Sequence, residues 1–182
     1  IMGHIAQIAG VQYKHNEATD VSLRVITDHI RSTTFMVADG VIPSNEGRGY
    51  VLRRLLRRAA RHGRLLGITD LFLCEVCDTV IAENAAAYPE LVEKQGYIKK
   101  IIQIEEERFQ KTIGQGMDLL GQMIDHMEAG AIHLLSGKEA FKLYDTFGFP
   151  IDLIREIVQE HKIDLDEEGF EKLMASQRER AR

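Results

Sequence analysis

Between Arg48 and Arg64 the chain carries seven arginines within seventeen residues, interleaved with leucine and alanine. With each residue turning 100° about a helix axis, Leu52, Leu55, Leu56, Ala59, Gly63 and Leu66 share one side. Arg53, Arg54, Arg57, Arg58, Arg61 and Arg64 share the other. This pattern predicts a single helix with one face buried. Its second face is unfavourable alone, because like charges four residues apart repel. Something anionic is therefore expected against it. Nucleic-acid phosphate is one candidate. The acids of another helix, such as the run Glu105-Glu106-Glu107, are another, and the two are compatible.

The charge distribution sharpens the point. The chain of 182 residues has 23 Lys and Arg against 28 Asp and Glu, a net charge of −5. Residues 46–64 contain seven of those arginines and one acid, Glu46, which leaves 16 basic against 27 acidic residues elsewhere. A basic patch on an acidic body attracts a polyanion at one place and repels it elsewhere. The patch uses only arginine, the side chain best suited to bidentate phosphate contacts.

A length of 182 residues suits one domain or two small ones, and 45% hydrophobic content supplies a core. No apolar run approaches the roughly 18 residues of a membrane span, and Ile1 to Gly10 has no signal-peptide pattern. Cys74 and Cys77 are the two cysteines, too few for a disulfide scaffold. A reducing cytosol fits, so a cytoplasmic location is expected. Ile1 to Gly10 reads as the end of a helix with no cap before it. Phe170 to Arg182 stays helical in pattern to the last residue without a Gly or Asn cap. Both ends suggest a piece of a larger protein.

The remaining pattern is helical throughout, and the expected class is all-α. Asp20 is placed to cap a helix over 21–38, with Leu23, Ile26, Ile30 and Val37 as core and Asp39-Gly40 as its end. A loop, Val41-Ile42-Pro43-Ser44-Asn45-Glu46-Gly47, leads into the arginine helix, which Gly67 stops; Ser44 or Asn45 can act as its cap. Thr69 or Asp70 caps the next helix, to about Ala87. Pro89 opens a long helical region to about Met127, with a break possible near Gly114-Gln115-Gly116. Ser136-Gly137-Lys138-Glu139 is a capping box for a helix to Tyr144. The aromatic turn Thr146-Phe147-Gly148-Phe149 follows, and Pro150 suits the first turn of another helix. Residues 164–168 lead into the last one.

Three motifs carry possible chemistry. Cys74 and Cys77 have metal-pair spacing but no second pair, and they read as buried structural thiols. His29 lies mid-helix without a nucleophile or second histidine nearby, and reads as structural. Asp145, in Leu143-Tyr144-Asp145-Thr146-Phe147-Gly148-Phe149-Pro150-Ile151-Asp152-Leu153, can cap the turn or face a ligand.

These segments together resemble the alanyl-tRNA synthetase family. The likeness rests on Asp28-His29-Ile30-Arg31-Ser32, Ala38-Asp39-Gly40-Val41-Ile42-Pro43-Ser44-Asn45-Glu46, Arg48-Gly49-Tyr50-Val51-Leu52-Arg53-Arg54 and Leu143 to Pro150, and extends over nearly the whole chain. It implies that residues 1–182 form the helical tRNA-recognition domain, with 1–20 the tail of a catalytic domain or a linker. In that family ATP-dependent alanylation lies before this region, with ATP and magnesium. Editing lies after it, with zinc. The region itself would hold no cofactor and no catalytic residue, and its partners would be the tRNA(Ala) acceptor stem and the neighbouring catalytic and editing domains.

The family identifies its tRNA by a G·U wobble pair. A-form RNA presents a wide, shallow minor groove, and in a wobble pair the guanine 2-amino group is an unpaired donor there. An amide oxygen or a carboxylate can accept from it. The resemblance assigns these roles to Asn45 and to Asp145, with Asp152 as the alternative to Asp145. It places Ser44, Arg48, Arg53, Arg54, Arg57, Arg58 and Arg61 at flanking phosphates or nearby bases, fixing register while the two acceptors specify. A nonspecific RNA-binding module and an interdomain-packing module remain the alternatives.

Overall fold

A computed structural model describes residues 1–180. Ala181 and Arg182, the last two residues of the expected terminal helix, lie outside the described residues. The described chain is helical in nine segments, with two strands of two residues each. It divides into two compact units, Ile1–Gln110 and Lys111–Arg182.

The first unit contains α1 (Met2–Ala9), α2 (Glu17–Ala38), α3 (Gly47–Leu65), α4 (Leu73–Asn84), α5 (Glu90–Glu93) and the beginning of α6 (Gln95–Ala129). α2 packs along α3 and against α1 and α4. Leu23, Ile26, Ile30 and Val37 are fully buried, as their spacing predicts, and they meet a core that includes Leu52, Leu56, Leu73, Val76 and Val80. Each such side chain contributes about 1.5–3 kcal/mol when fully removed from water.

Helix boundaries follow local hydrogen bonding. α2 begins earlier than expected: Asn16, not Asp20, caps it, accepting from the Thr19 N–H at 3.1 Å. Asp20 instead accepts from the Lys14 N–H at 2.8 Å and closes the preceding loop. Neither Thr69 nor Asp70 caps α4. Its first N–H groups, those of Phe72 and Leu73, donate to the two carboxylate oxygens of Glu106 at 3.0 and 3.1 Å. A residue more than thirty positions away thus does what a local cap does elsewhere.

Burial drives the Glu106 carboxyl up to about 7, against the opposite pull of the two N–H donors. Its folded value therefore lies above the ordinary 4.5. The stability that this raised value contributes is fully present below about pH 4.5 and is lost as pH rises through 7. Urea unfolding at pH 5 and pH 8 should differ by about 2–3 kcal/mol from this group. Glu106→Gln should flatten that dependence; an unchanged pH profile in the variant would reject the assignment.

The second unit contains the rest of α6, then β1 (Leu134–Leu135), α7 (Gly137–Phe147), α8 (Ile151–Glu160), β2 (Asp164–Leu165) and α9 (Glu167–Arg180). α6 is unbroken, so the expected break near Gly114–Gly116 does not occur. Gly116 serves packing instead: a Cβ there would collide with the Phe149 ring. Thr112 Oγ1 also donates to the Phe147 carbonyl at 2.7 Å. Ser136 caps α7 through the Glu139 N–H, as the capping box predicts. That helix runs on to Phe147, beyond the expected Tyr144, and Gly148 ends it at φ 71°. Pro150 stands just before α8, where its carbonyl accepts from Leu153 and Ile154. β1 and β2 pair in parallel, Leu134 with Asp164 and Leu135 with Leu165, a contact too short to leave a sequence period. α7 packs against α9 and α8.

Candidate nucleic-acid interface

The loop before α3 is shaped by the helix it precedes. Ser44 Oγ donates to the Glu46 carbonyl at 2.8 Å. A Cβ on residue 49 would collide with Ser44 Oγ and with the Ile42 carbonyl, so Gly49 is what lets the loop fold back onto the first turn. Neither Ser44 nor Asn45 caps α3, whose cap position is Glu46 with no side-chain cap bond. Asn45 is exposed and accepts from Arg53 Nη1 through Oδ1 at 2.5 Å. Arginine can only donate, so the amide must turn its oxygen toward Arg53. That oxygen has a second lone pair.

Behind Asn45 the arginine face is only partly solvated. Arg53 Nε and Arg57 Nε both donate to Glu105 Oε1, at 2.9 and 2.8 Å. The Glu105 side chain is 2% exposed, and those of Arg53 and Arg57 are 17% and 12% exposed. A buried carboxylate between two cations four residues apart converts their repulsion into attraction. The Arg57 guanidinium also lies over the Phe109 ring, 5.3 Å from its centre. The packing of the arginine face against the acidic run therefore holds for Arg53 and Arg57. Arg61, one turn further on, is 3% exposed. Its guanidinium lies among the residues of the first unit rather than in solvent. Arg54 and Arg58 are half-buried, while Arg48 and Arg64 are exposed.

His29 belongs to a connected row. Arg58 Nη1 donates to its Nε2 at 2.8 Å, and its Nδ1–H donates to Asp28 Oδ2 at 3.0 Å. Burial, reinforced by the Arg58 charge, holds its pKa below the ordinary value. The neutral ring, protonated on Nδ1, satisfies both bonds, and the role is structural: it seats Arg58 on α2. The cysteines are packed thiols. Cys77 is buried and receives a bond from Thr34 Oγ1, and Cys74 Sγ donates to the Lys99 carbonyl at 3.1 Å. Burial pushes them up to about 11 and about 12 respectively, so both stay protonated at neutral pH.

In the second unit, Asp145 lies in the last turn of α7, exposed. It does not cap the turn. Backbone bonds from Gly148 to Tyr144 and from Phe149 to Leu143 close that turn without it. Its Oδ1 accepts instead from Gln177 Nε2 of α9 at 2.5 Å. Asp152 is half-buried in the first turn of α8 and accepts from Arg155 Nη1 at 2.6 Å. Arg155 Nε in turn donates to Glu167 at 2.7 Å. Asp152 thus belongs to a salt-bridged row, whereas Asp145 is held by a neutral amide. Gln177 was absent from the sequence-derived set. It stands 32 positions from its partner, and no motif or period links the two.

The model of the family described as tRNA synthetases class II (A) matches residues 1–182. The chain is similar over its full length to alanine–tRNA ligase 1 of Lachnoclostridium phytofermentans, at 58% identity, and to the alanine–tRNA ligases of Clostridioides difficile and Thermoanaerobacter sp., at 57% and 56%. It spans about a fifth of the length of these relatives, 21% in each case. With an exposed amide at the head of an arginine helix and similarity to these ligases along every segment, the chain belongs to the class II (A) tRNA synthetases.

Proposed function

We propose that this chain is the tRNA-recognition region of an alanine–tRNA ligase and that it reads the G·U wobble pair of the acceptor stem of tRNA(Ala). The observation that carries the reading is Asn45: an exposed acceptor, neither capping nor buried, pinned over the start of α3 in a chain 58% identical to an alanine–tRNA ligase. Asn45 is the acceptor for the guanine 2-amino group, and Asp145 is the second acceptor proposed to read the pair. Arg48, Arg54, Arg58 and Ser44 fix register on neighbouring phosphates and sugars. Arg53 and Arg57 contribute through orientation and field, since both are tied to Glu105. Asp152 supports α8 rather than reading the pair. ATP-dependent alanylation, with ATP and magnesium, and editing, with zinc, belong to the rest of the ligase in the cytoplasm, and the catalytic and editing domains are this region's other partners.

The Glu105 pairing favours a second reading for part of the face, in which the arginines serve packing alone. RNA binding separates the two. An acceptor-stem minihelix with the G·U pair is expected to bind more tightly than its G·C twin, and more weakly as salt rises. Arg48→Ala should weaken both RNAs equally and reduce the slope of log affinity against log salt by about one. Equal binding of both RNAs would reduce the region to a phosphate clamp. Salt-insensitive or absent binding would leave the packing reading.

A further inference from the structure

Asp145 occupies a place that helix energetics disfavour. A carboxylate in the last turn meets the negative end of the helix dipole. No cation bonds it among the described residues; its partner is the neutral Gln177 amide, 2.5 Å from Oδ1. Oδ2 accepts nothing from the described residues. α7 and α9 are already joined by an aromatic cluster of Phe141, Tyr144 and Phe170, with ring centres 5.5–6.4 Å apart. The Asp145–Gln177 bond is therefore not what holds the helices together. It lies on the surface above that cluster, beside a groove lined by Phe141, Asp145, Gln177 and Arg180.

We infer that Gln177 is a positioning residue for base readout, fixing the Asp145 carboxylate so that its second oxygen points to a nucleic-acid donor. This rests on the function proposed above. The chemistry explains why the partner is an amide. An exposed aspartate samples several rotamers, and one hydrogen bond to Oδ1 fixes both oxygens. A lysine or arginine would fix them too, but would neutralise the charge that makes Oδ2 a strong acceptor. A neutral donor orients without quenching. Arg180, whose Nε is held by the Ser176 carbonyl at 3.2 Å, borders the same groove and offsets the repulsion between Asp145 and a phosphate backbone.

The test compares G·U and G·C minihelices on the 182-residue chain and on Gln177→Ala, Gln177→Glu and Asn45→Ala. Circular dichroism monitors folding. Gln177→Ala is expected to lower the G·U preference at least fivefold while leaving G·C affinity within twofold. Gln177→Glu places two carboxylates together and should lose the preference at pH 8. It should regain it toward pH 5, where a shared proton restores a donor. A helix-packing role alone would give no such pH-dependent return. An unchanged preference in Gln177→Ala, with preference lost in Asn45→Ala, overturns the inference and leaves the proposed function standing. No preference in the unaltered chain overturns both.

Discussion

Replacing Glu105 with alanine is expected to destabilise the first unit by about 3 kcal/mol. Removing one partner of a buried ion pair costs about 3–5 kcal/mol, because the remaining charge is left in a poor solvent. Here two cations lose the same partner, but side-chain exposures of 17% and 12% let each reach some water, which puts the expectation at the low end. Glu105→Gln should cost roughly half as much, since it keeps an acceptor between the arginines but not the charge. The same variant should raise nonspecific RNA affinity, because Arg53 and Arg57 would no longer be neutralised locally. Urea unfolding and filter binding read the two effects. A destabilisation below about 1 kcal/mol for Glu105→Ala would place the pair among surface salt bridges and remove the argument that the arginine face is tethered.

The second large effect concerns Asn45. Asn45→Ala should reduce the preference for a G·U over a G·C minihelix by about 1–3 kcal/mol, roughly 5- to 150-fold. Stability should change by less than about 0.5 kcal/mol, since Asn45 is exposed and caps nothing. The expected loss falls on G·U alone, because only the wobble pair leaves the guanine amino group unpaired. Arg53 is central to this expectation: by donating to Oδ1 it fixes the orientation of the amide and leaves that oxygen one further lone pair for the guanine amino group. A variant that weakened both RNAs equally would make Asn45 a backbone contact.

Much of the fold is legible in the pattern of residues. The buried positions of α2 and the apolar stripe of α3 follow from a period of 3.6, and Ser136 with Glu139 announces the start of α7. These features are local: the partners lie within four residues and their geometry is that of the helix itself. The failures have two causes, a local turn and distant partners. Asn16 prevailed over Asp20 because Asp20 was drawn to the Lys14 N–H by a turn that periodicity does not encode. Thr69 and Asp70 were good local caps for α4, yet a buried glutamate on α6 took the role. Gly114 and Gly116 suggested a break because glycine lowers helix propensity. The space it leaves was instead filled by the Phe149 ring.

The candidate site divides the same way. Which side chains can accept from a base edge, and that arginine surrounds one of them, is written in the order of residues. Which arginines remain available is not. Arg53, Arg57 and Arg61 repeat every four residues along one polar face, but Glu105 holds the first two and the third is buried. Asp145 and Asp152 are likewise two acids seven residues apart; Gln177 holds one and Arg155 the other. Sequence determined the helices, their apolar faces and the chemistry available at each position, because these depend on neighbours along the chain. Tertiary structure decided which charges are neutralised and which acceptors face outward, because those depend on partners many residues distant that only packing brings within hydrogen-bonding reach.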